Sequence, residues 1–146
     1  MAEKDYSADT YWIELGFLPA EVGYVPHENA WHASLARLKV EPMAYPDTDG
    51  RCVHWENVGP DRKSVILICV GARAKNYSLA QVVGIIAHEC QHAWRFIREA
   101  MGETEPSSEF EAYALQCLVQ HAVYAHMTKR KRPWAKAAIP QPTPRA

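Results

Sequence analysis

The feature that most constrains this chain is a long segment with almost no helix-breaking residues. From Ser78 to Met101 the chain contains no proline and one glycine, Gly84. The opening residues Ser78-Leu79-Ala80-Gln81 form the pattern of a capping box, in which the serine and glutamine side chains satisfy free backbone N–H groups. The segment therefore predicts a well-capped helix that ends near Gly102.

This helix carries His88, Glu89 and His92 in the spacing His-Glu-x-x-His. Four residues are about one helical turn, so the two imidazoles stack on one face and can share one metal ion. A glutamate directly after the first histidine is placed to accept a proton from a water that the ion activates. Cys90 points off this face and is expected in the core. The motif predicts Zn²⁺ as the cofactor, His88 and His92 as ligands and Glu89 as the general base.

A catalytic zinc ion also needs a third protein ligand and an open position for water. The metzincin extension of the motif is excluded, because Arg95 and Arg98 occupy the positions that would hold its glycine and histidine. The remaining pattern takes a glutamate from the next long helix. Glu109 and Glu111 follow His92 by 17 and 19 positions and are the two candidates.

The choice between the two glutamates depends on which serine caps that next helix. Ser107 and Ser108 are both suitable N-caps for a helix reaching about Met127. If Ser108 is the cap, Glu111 falls at the third helical position, where its side chain can reach back to the cap. On that basis Glu109 is the preferred third ligand and Glu111 is the alternative.

A His-Glu-x-x-His helix followed by Glu-x-x-Ala on the next helix resembles the gluzincin group of zinc metallopeptidases. The second element is either Glu109-Phe110-Glu111-Ala112 or Glu111-Ala112-Tyr113-Ala114. The stretch from Tyr77 to Tyr124 also resembles small uncharacterised proteins encoded by tailed bacteriophages and prophages. The resemblance to the phage proteins implies a minimal zincin-like core but brings no substrate. The gluzincin resemblance implies hydrolysis of a peptide or other amide bond in a peptide or protein substrate.

Further side chains are candidates for polarising a substrate carbonyl or holding an oxyanion. Tyr113 lies one turn beyond Glu109 and is the catalytic candidate among them. His54, His121 and His126 are also considered, although a histidine outside a motif is more often a surface or core residue.

The remaining segments predict an α+β domain with N-terminal helices. One helix is predicted over residues 10–15, with Asp9 as its N-cap. A second is predicted from beyond Pro26 to about Val40, because its apolar residues recur at spacings of three and four. Residues 51–56 and 64–70 predict two strands joined as a hairpin. The expected fold is a short hairpin or sheet packed on the motif helix and the ligand helix.

A chain of 146 residues fits one domain, expected over residues 1–128. Residues 129–146 begin with a basic run and contain four prolines, so a mobile, basic, Pro-rich tail is expected. The net charge of −1 gives no general attraction to nucleic acid or membrane, and neither is an expected partner. The oligomeric state is left open.

No apolar run approaches the ~20 residues that span a bilayer, and the first residues lack the pattern of a secretory signal. The protein is therefore expected in the cytoplasm, which is the host cytoplasm if a phage encodes it. Four scattered cysteines without a Cys-x-x-Cys pair agree with reduced thiols.

A zinc metallopeptidase is the expected function. The alternatives are a non-catalytic zinc-binding phage accessory or host-interaction protein, and a basic-tailed binding module whose histidines bind no metal.

Overall fold

The computed structural model describes residues 9–16 and 18–129. These residues confirm the α+β class: they form one mixed sheet and three α-helices, with a one-turn 3₁₀ helix at Ala72–Ala74. In chain order the elements are β1 (Tyr11–Ile13), β2 (Glu21–Val25), α1 (Glu28–Leu38), β3 (Gly50–Val58), β4 (Lys63–Val70), α2 (Leu79–Ala100) and α3 (Ser108–Lys129).

The sheet has the order β1-β2-β4-β3, in which β2 and β4 are parallel and the two outer pairs are antiparallel. The predicted hairpin is confirmed as β3 and β4. Helices cover both faces of the sheet, which explains why β4 is apolar without a break. Its side chains alternate between two buried clusters: Ile66, Ile68 and Val70 join α2 and α3, whereas Val65, Leu67 and Cys69 join α1.

The prediction of a helix over residues 10–15 is wrong. Tyr11–Ile13 form β1, which pairs antiparallel with β2, a strand that the sequence pattern did not predict. Aromatic and β-branched residues favour a half-buried strand, and the partner strand supplies the hydrogen bonds. Tertiary pairing therefore overrides the capping signal at Asp9. The second predicted helix is confirmed as α1.

The predicted C-terminal tail lies at the limit of the described residues. α3 ends at Lys129, so the predicted tail over residues 129–146 lies almost entirely outside them. Among the described helices, none is long and apolar enough to cross a membrane.

Candidate metal centre

The two motif histidines lie on the exposed side of α2, as the helical spacing predicts. The helix begins with the expected capping box: the Gln81 backbone N–H donates to Ser78 Oγ at 3.2 Å, and the Ser78 N–H donates to Gln81 Oε1 at 2.9 Å. His88 and His92 are both exposed, with ring centroids 4.9 Å apart. Their Nε2 atoms converge to 3.2 Å.

That separation of the Nε2 atoms suits one shared metal ion. Two imidazoles that bind zinc at about 2.0–2.1 Å in a tetrahedral arrangement place their nitrogens roughly 3.3 Å apart. The same distance also suits an N–H···N hydrogen bond in which one ring donates and the other accepts. The Nε2 separation is therefore compatible both with two ligands on one ion and with a hydrogen bond between the two rings.

Glu89 points in a different direction, toward the sheet. Its exposed fraction is 7%, and β3 passes directly over it. The close approach depends on Gly50, since a Cβ there would lie 3.0 Å from Glu89 Oε1 and 2.5 Å from Ile85 Cγ2. Burial raises the pKa of the Glu89 carboxyl, against the opposing charges of His88, His92 and Arg51. A buried carboxylate of this kind is a stronger base than an exposed one.

Two further β3 side chains face the motif helix. His54 stacks on Phe96 with ring centroids 4.7 Å apart, and Phe96 lies one turn beyond His92 on α2. Burial raises the pKa of the Cys52 thiol, and the nearby charge of Glu89 raises it further. β3 therefore flanks α2 on the side to which Glu89 points.

α3 flanks α2 on another side and carries both candidate glutamates. Its cap is Ser107, whose Oγ accepts from the Phe110 backbone N–H at 3.3 Å, so the capping argument for Glu109 does not apply. Glu111 turns toward α2: its Oε2 accepts from Trp94 Nε1 at 2.8 Å and from Arg98 NH1 at 3.4 Å. Glu109 is exposed and, two residues away, points about 200° around the helix from Glu111.

The other candidates on α3 have separate surroundings. Tyr113 is 57% exposed. His121 Nδ1 lies 3.2 Å from the Tyr11 hydroxyl, and the buried His126 places Nδ1 2.6 Å from the Tyr24 hydroxyl. These two histidines therefore connect α3 to the sheet.

The structure thus brings together His88 and His92, turns the Glu89 carboxyl toward β3 and leaves both candidate third ligands apart. His88 and His92 converge and Glu89 is adjacent to them. Within residues 9–16 and 18–129, no three His, Cys, Asp or Glu side chains are gathered closely enough to hold a metal ion. Among these described residues, neither Glu109 nor Glu111 lies with the histidine pair.

Sequence reasoning missed three residues around the motif: Gly50, Trp94 and Arg98. A glycine that opens a strand is a signal for close backbone approach, and Gly50 allows β3 to lie on Glu89. Trp94 and Arg98 are four residues apart and so share one face of α2. That spacing was the available signal that both could contact the same residue of a neighbouring helix, as they do at Glu111.

Comparisons with protein-family models, with curated proteins and with solved structures find no match to this chain. A functional assignment for the chain therefore rests on its fold and on the geometry around α2.

Proposed function

We propose that this protein is a zinc-dependent hydrolase that cleaves a peptide or other amide bond. The observation that carries the proposal is the 3.2 Å separation of the His88 and His92 Nε2 atoms, which matches the spacing of two imidazole ligands on one zinc ion. The neighbouring Glu89 supplies the carboxylate that the His-Glu-x-x-His arrangement requires.

The residues divide the chemistry among them. His88 and His92 would hold the zinc ion, which would serve as a Lewis acid and lower the pKa of a water toward neutrality. Glu89 would accept a proton from the attacking water and return it to the leaving amine. Glu109 and Glu111 both stay candidates for the third ligand, because within the described residues neither is gathered with the histidines and Glu111 already accepts from Trp94 and Arg98.

The proposed substrate is a segment of peptide or protein that reaches an open surface. Both histidines are exposed, so an extended chain has access to them without entering a deep cleft. Tyr113, with 57% of its surface exposed, remains a candidate for contact with the substrate.

Metal analysis tests the first part of the proposal. Protein purified without a histidine tag should bind one zinc ion per chain, and His92→Ala should lose it. His32→Ala is the matched control, because His32 is also an exposed histidine on a helix, paired with Glu28 in place of another histidine. If His92→Ala and His32→Ala reduce the zinc content equally, or if neither reduces it, the motif is not the zinc site.

Glu89→Gln tests the second part. Glutamine keeps the size of the side chain but cannot accept a proton, so zinc content should stay at the wild-type level while hydrolysis falls roughly 100-fold or more. A peptide library incubated with the zinc-loaded protein provides the activity. Hydrolysis by the wild type that survives Glu89→Gln undiminished would show that another group activates the water.

A non-catalytic zinc-binding protein, such as a phage accessory or host-interaction protein, is the second candidate. It is favoured by the position of the histidines on an open surface, away from the concavity of about 690 Å³ that Trp12 and Arg37 border. Zinc binding with no hydrolysis in the peptide library would support this candidate.

A further inference from the structure

Two concavities of the protein meet at Trp12 of β1 and Arg37 of α1. The larger, of about 690 Å³, follows the connection from β1 to β2 and extends to Arg62 and Lys63 at the start of β4. The smaller, of about 370 Å³, lies between β1 and α1. No described residue of α2 or α3 lines either of them, so they are separate from the candidate metal centre. Their volumes are those of small-molecule sites.

The Trp12 indole is held at this junction by the strand beside it. Gly23 lies opposite Trp12 in the pair of β1 and β2, and a Cβ at Gly23 would come 3.0 Å from the indole. The missing side chain therefore lets the indole lie against β2. The Arg37 guanidinium carbon lies over the same ring, 5.6 Å from its centroid. This cation–π contact positions the guanidinium but gives it no negative counter-charge.

Arg62 supplies a second guanidinium group to the larger concavity. Its φ of +50° is uncommon for a residue other than glycine, and conformations of this kind cluster at functional sites. Within the part of the chain that the structure describes, neither Arg37 nor Arg62 is in an ion pair. Lys63, by contrast, is paired with Glu21 at 3.1 Å. Together with Glu14, the lining has three cationic and two acidic side chains, which leaves one positive charge in excess.

We propose that this junction binds a small molecule that carries one carboxylate on an apolar body. The guanidinium groups of Arg37 and Arg62 can donate to the carboxylate, since their planar forks match its geometry. The half-buried Leu15 and Leu18, on the wall of the larger concavity, can contact the apolar body. A single excess charge favours a monoanion over a phosphate ester, which carries about −1.5 to −2 at neutral pH. The site does not depend on the proposed zinc chemistry.

NMR titration of the isotope-labelled full chain tests the site with three probes of similar size. Phenylacetate carries a carboxylate on an apolar ring, phenylacetamide is its neutral counterpart, and phenyl phosphate is the phosphate ester. Phenylacetate should shift the indole N–H signal of Trp12, assigned with Trp12→Phe, and should saturate in the millimolar range expected of so small a ligand. Phenylacetamide should bind at least about tenfold more weakly, because it offers the guanidinium groups no negative charge. Phenyl phosphate should bind no more tightly than phenylacetate.

Arginine variants locate the bound carboxylate. Arg37→Gln and Arg62→Gln should each weaken phenylacetate binding roughly two- to fivefold, the effect of losing one exposed ion pair. Arg95→Gln is the matched control, because Arg95 is also an exposed arginine but lies on α2, in an ion pair with Glu99. It removes the same charge and should bind phenylacetate as the wild type does. Thermal melts of each variant verify that it is folded.

Three results would overturn the proposal. The first is the absence of a saturable shift at Trp12 with phenylacetate, or equal affinities for phenylacetate and phenylacetamide. The second is binding by Arg37→Gln and Arg62→Gln that equals binding by Arg95→Gln, because the probe would then lie elsewhere. The third is tighter binding of phenyl phosphate than of phenylacetate, which would make the junction a phosphate site.

Discussion

Alanine at Gly50 would place a methyl group where the edge strand β3 crosses the motif helix. The added Cβ would lie 2.5 Å from Ile85 Cγ2 and 3.0 Å from Glu89 Oε1. Contacts this short require the Ile85 and Glu89 side chains, or the strand, to move. Extra methyl groups in a packed region typically cost about 1–3 kcal/mol, and the partial exposure of Ile85 allows some relief. We expect Gly50→Ala to lower the free energy of unfolding by about 2 kcal/mol.

Thermal unfolding of the full chain in EDTA measures this loss without a contribution from bound metal. For a protein of this size, about 2 kcal/mol corresponds to a decrease in Tm of roughly 5–10 °C. Gly84→Ala is the control, because Gly84 lies within α2, the helix that Gly50 packs against, and a Cβ at Gly84 meets nothing within 4 Å. Replacing that helical glycine should stabilise the protein by about 0.5–1 kcal/mol. A Gly50→Ala variant as stable as the wild type would refute the close contact between β3 and Glu89.

One further substitution and one chemical modification test the same packing. Gly71→Ala should destabilise more than Gly50→Ala, because its Cβ would collide with the backbone carbonyl of Thr48, which cannot rotate away as a side chain can; the same thermal melts decide the order. Cys90 should resist alkylation by iodoacetamide at about pH 8 until the chain is denatured, because burial raises the pKa of its thiol to about 12 and leaves very little thiolate. Peptide mapping that finds native Cys90 labelled as fast as a free thiol would contradict its place in the core.

Segments with strong local signals were predicted well from the sequence. The capping box at Ser78 defines the start of α2 through contacts three residues apart, and the structure contains both hydrogen bonds. The apolar run that became β4 was also clear, because a strand buried on both faces needs no polar alternation. In each case the information lies within a short stretch of chain.

The N-terminal strands were not predictable in the same way. β1 has three residues, and its hydrogen bonds come from β2, in which Tyr24 lies opposite Tyr11. β2 in turn pairs in parallel with β4, about forty positions further along the chain. Strands this short are stabilised by their partners, so a local capping signal at Asp9 was the only visible pattern, and it was misleading.

The candidate site also has one part that local sequence determines and another that depends on tertiary packing. His88 and His92 are one turn apart on one helix, so their convergence needs only α2, and the spacing predicted it. The third ligand depends on how α3 packs against α2 and on which serine begins α3. That choice between Ser107 and Ser108 was open in the sequence, and the preference for Glu109 followed from the serine that does not cap the helix.

The parts of the proposed site should therefore respond differently to loss of tertiary structure. The histidine pair is local to α2 and persists wherever that helix persists. Glu89 is held against β3 by packing at Gly50, and Glu111 is held by contacts between two helices. A change that loosens β3 should leave the two imidazoles in place while it releases Glu89, the proposed general base. Weak metal binding alone would consequently be a poor measure of the proposed site, because the proposed hydrolysis also depends on Glu89 and on the packing around α2.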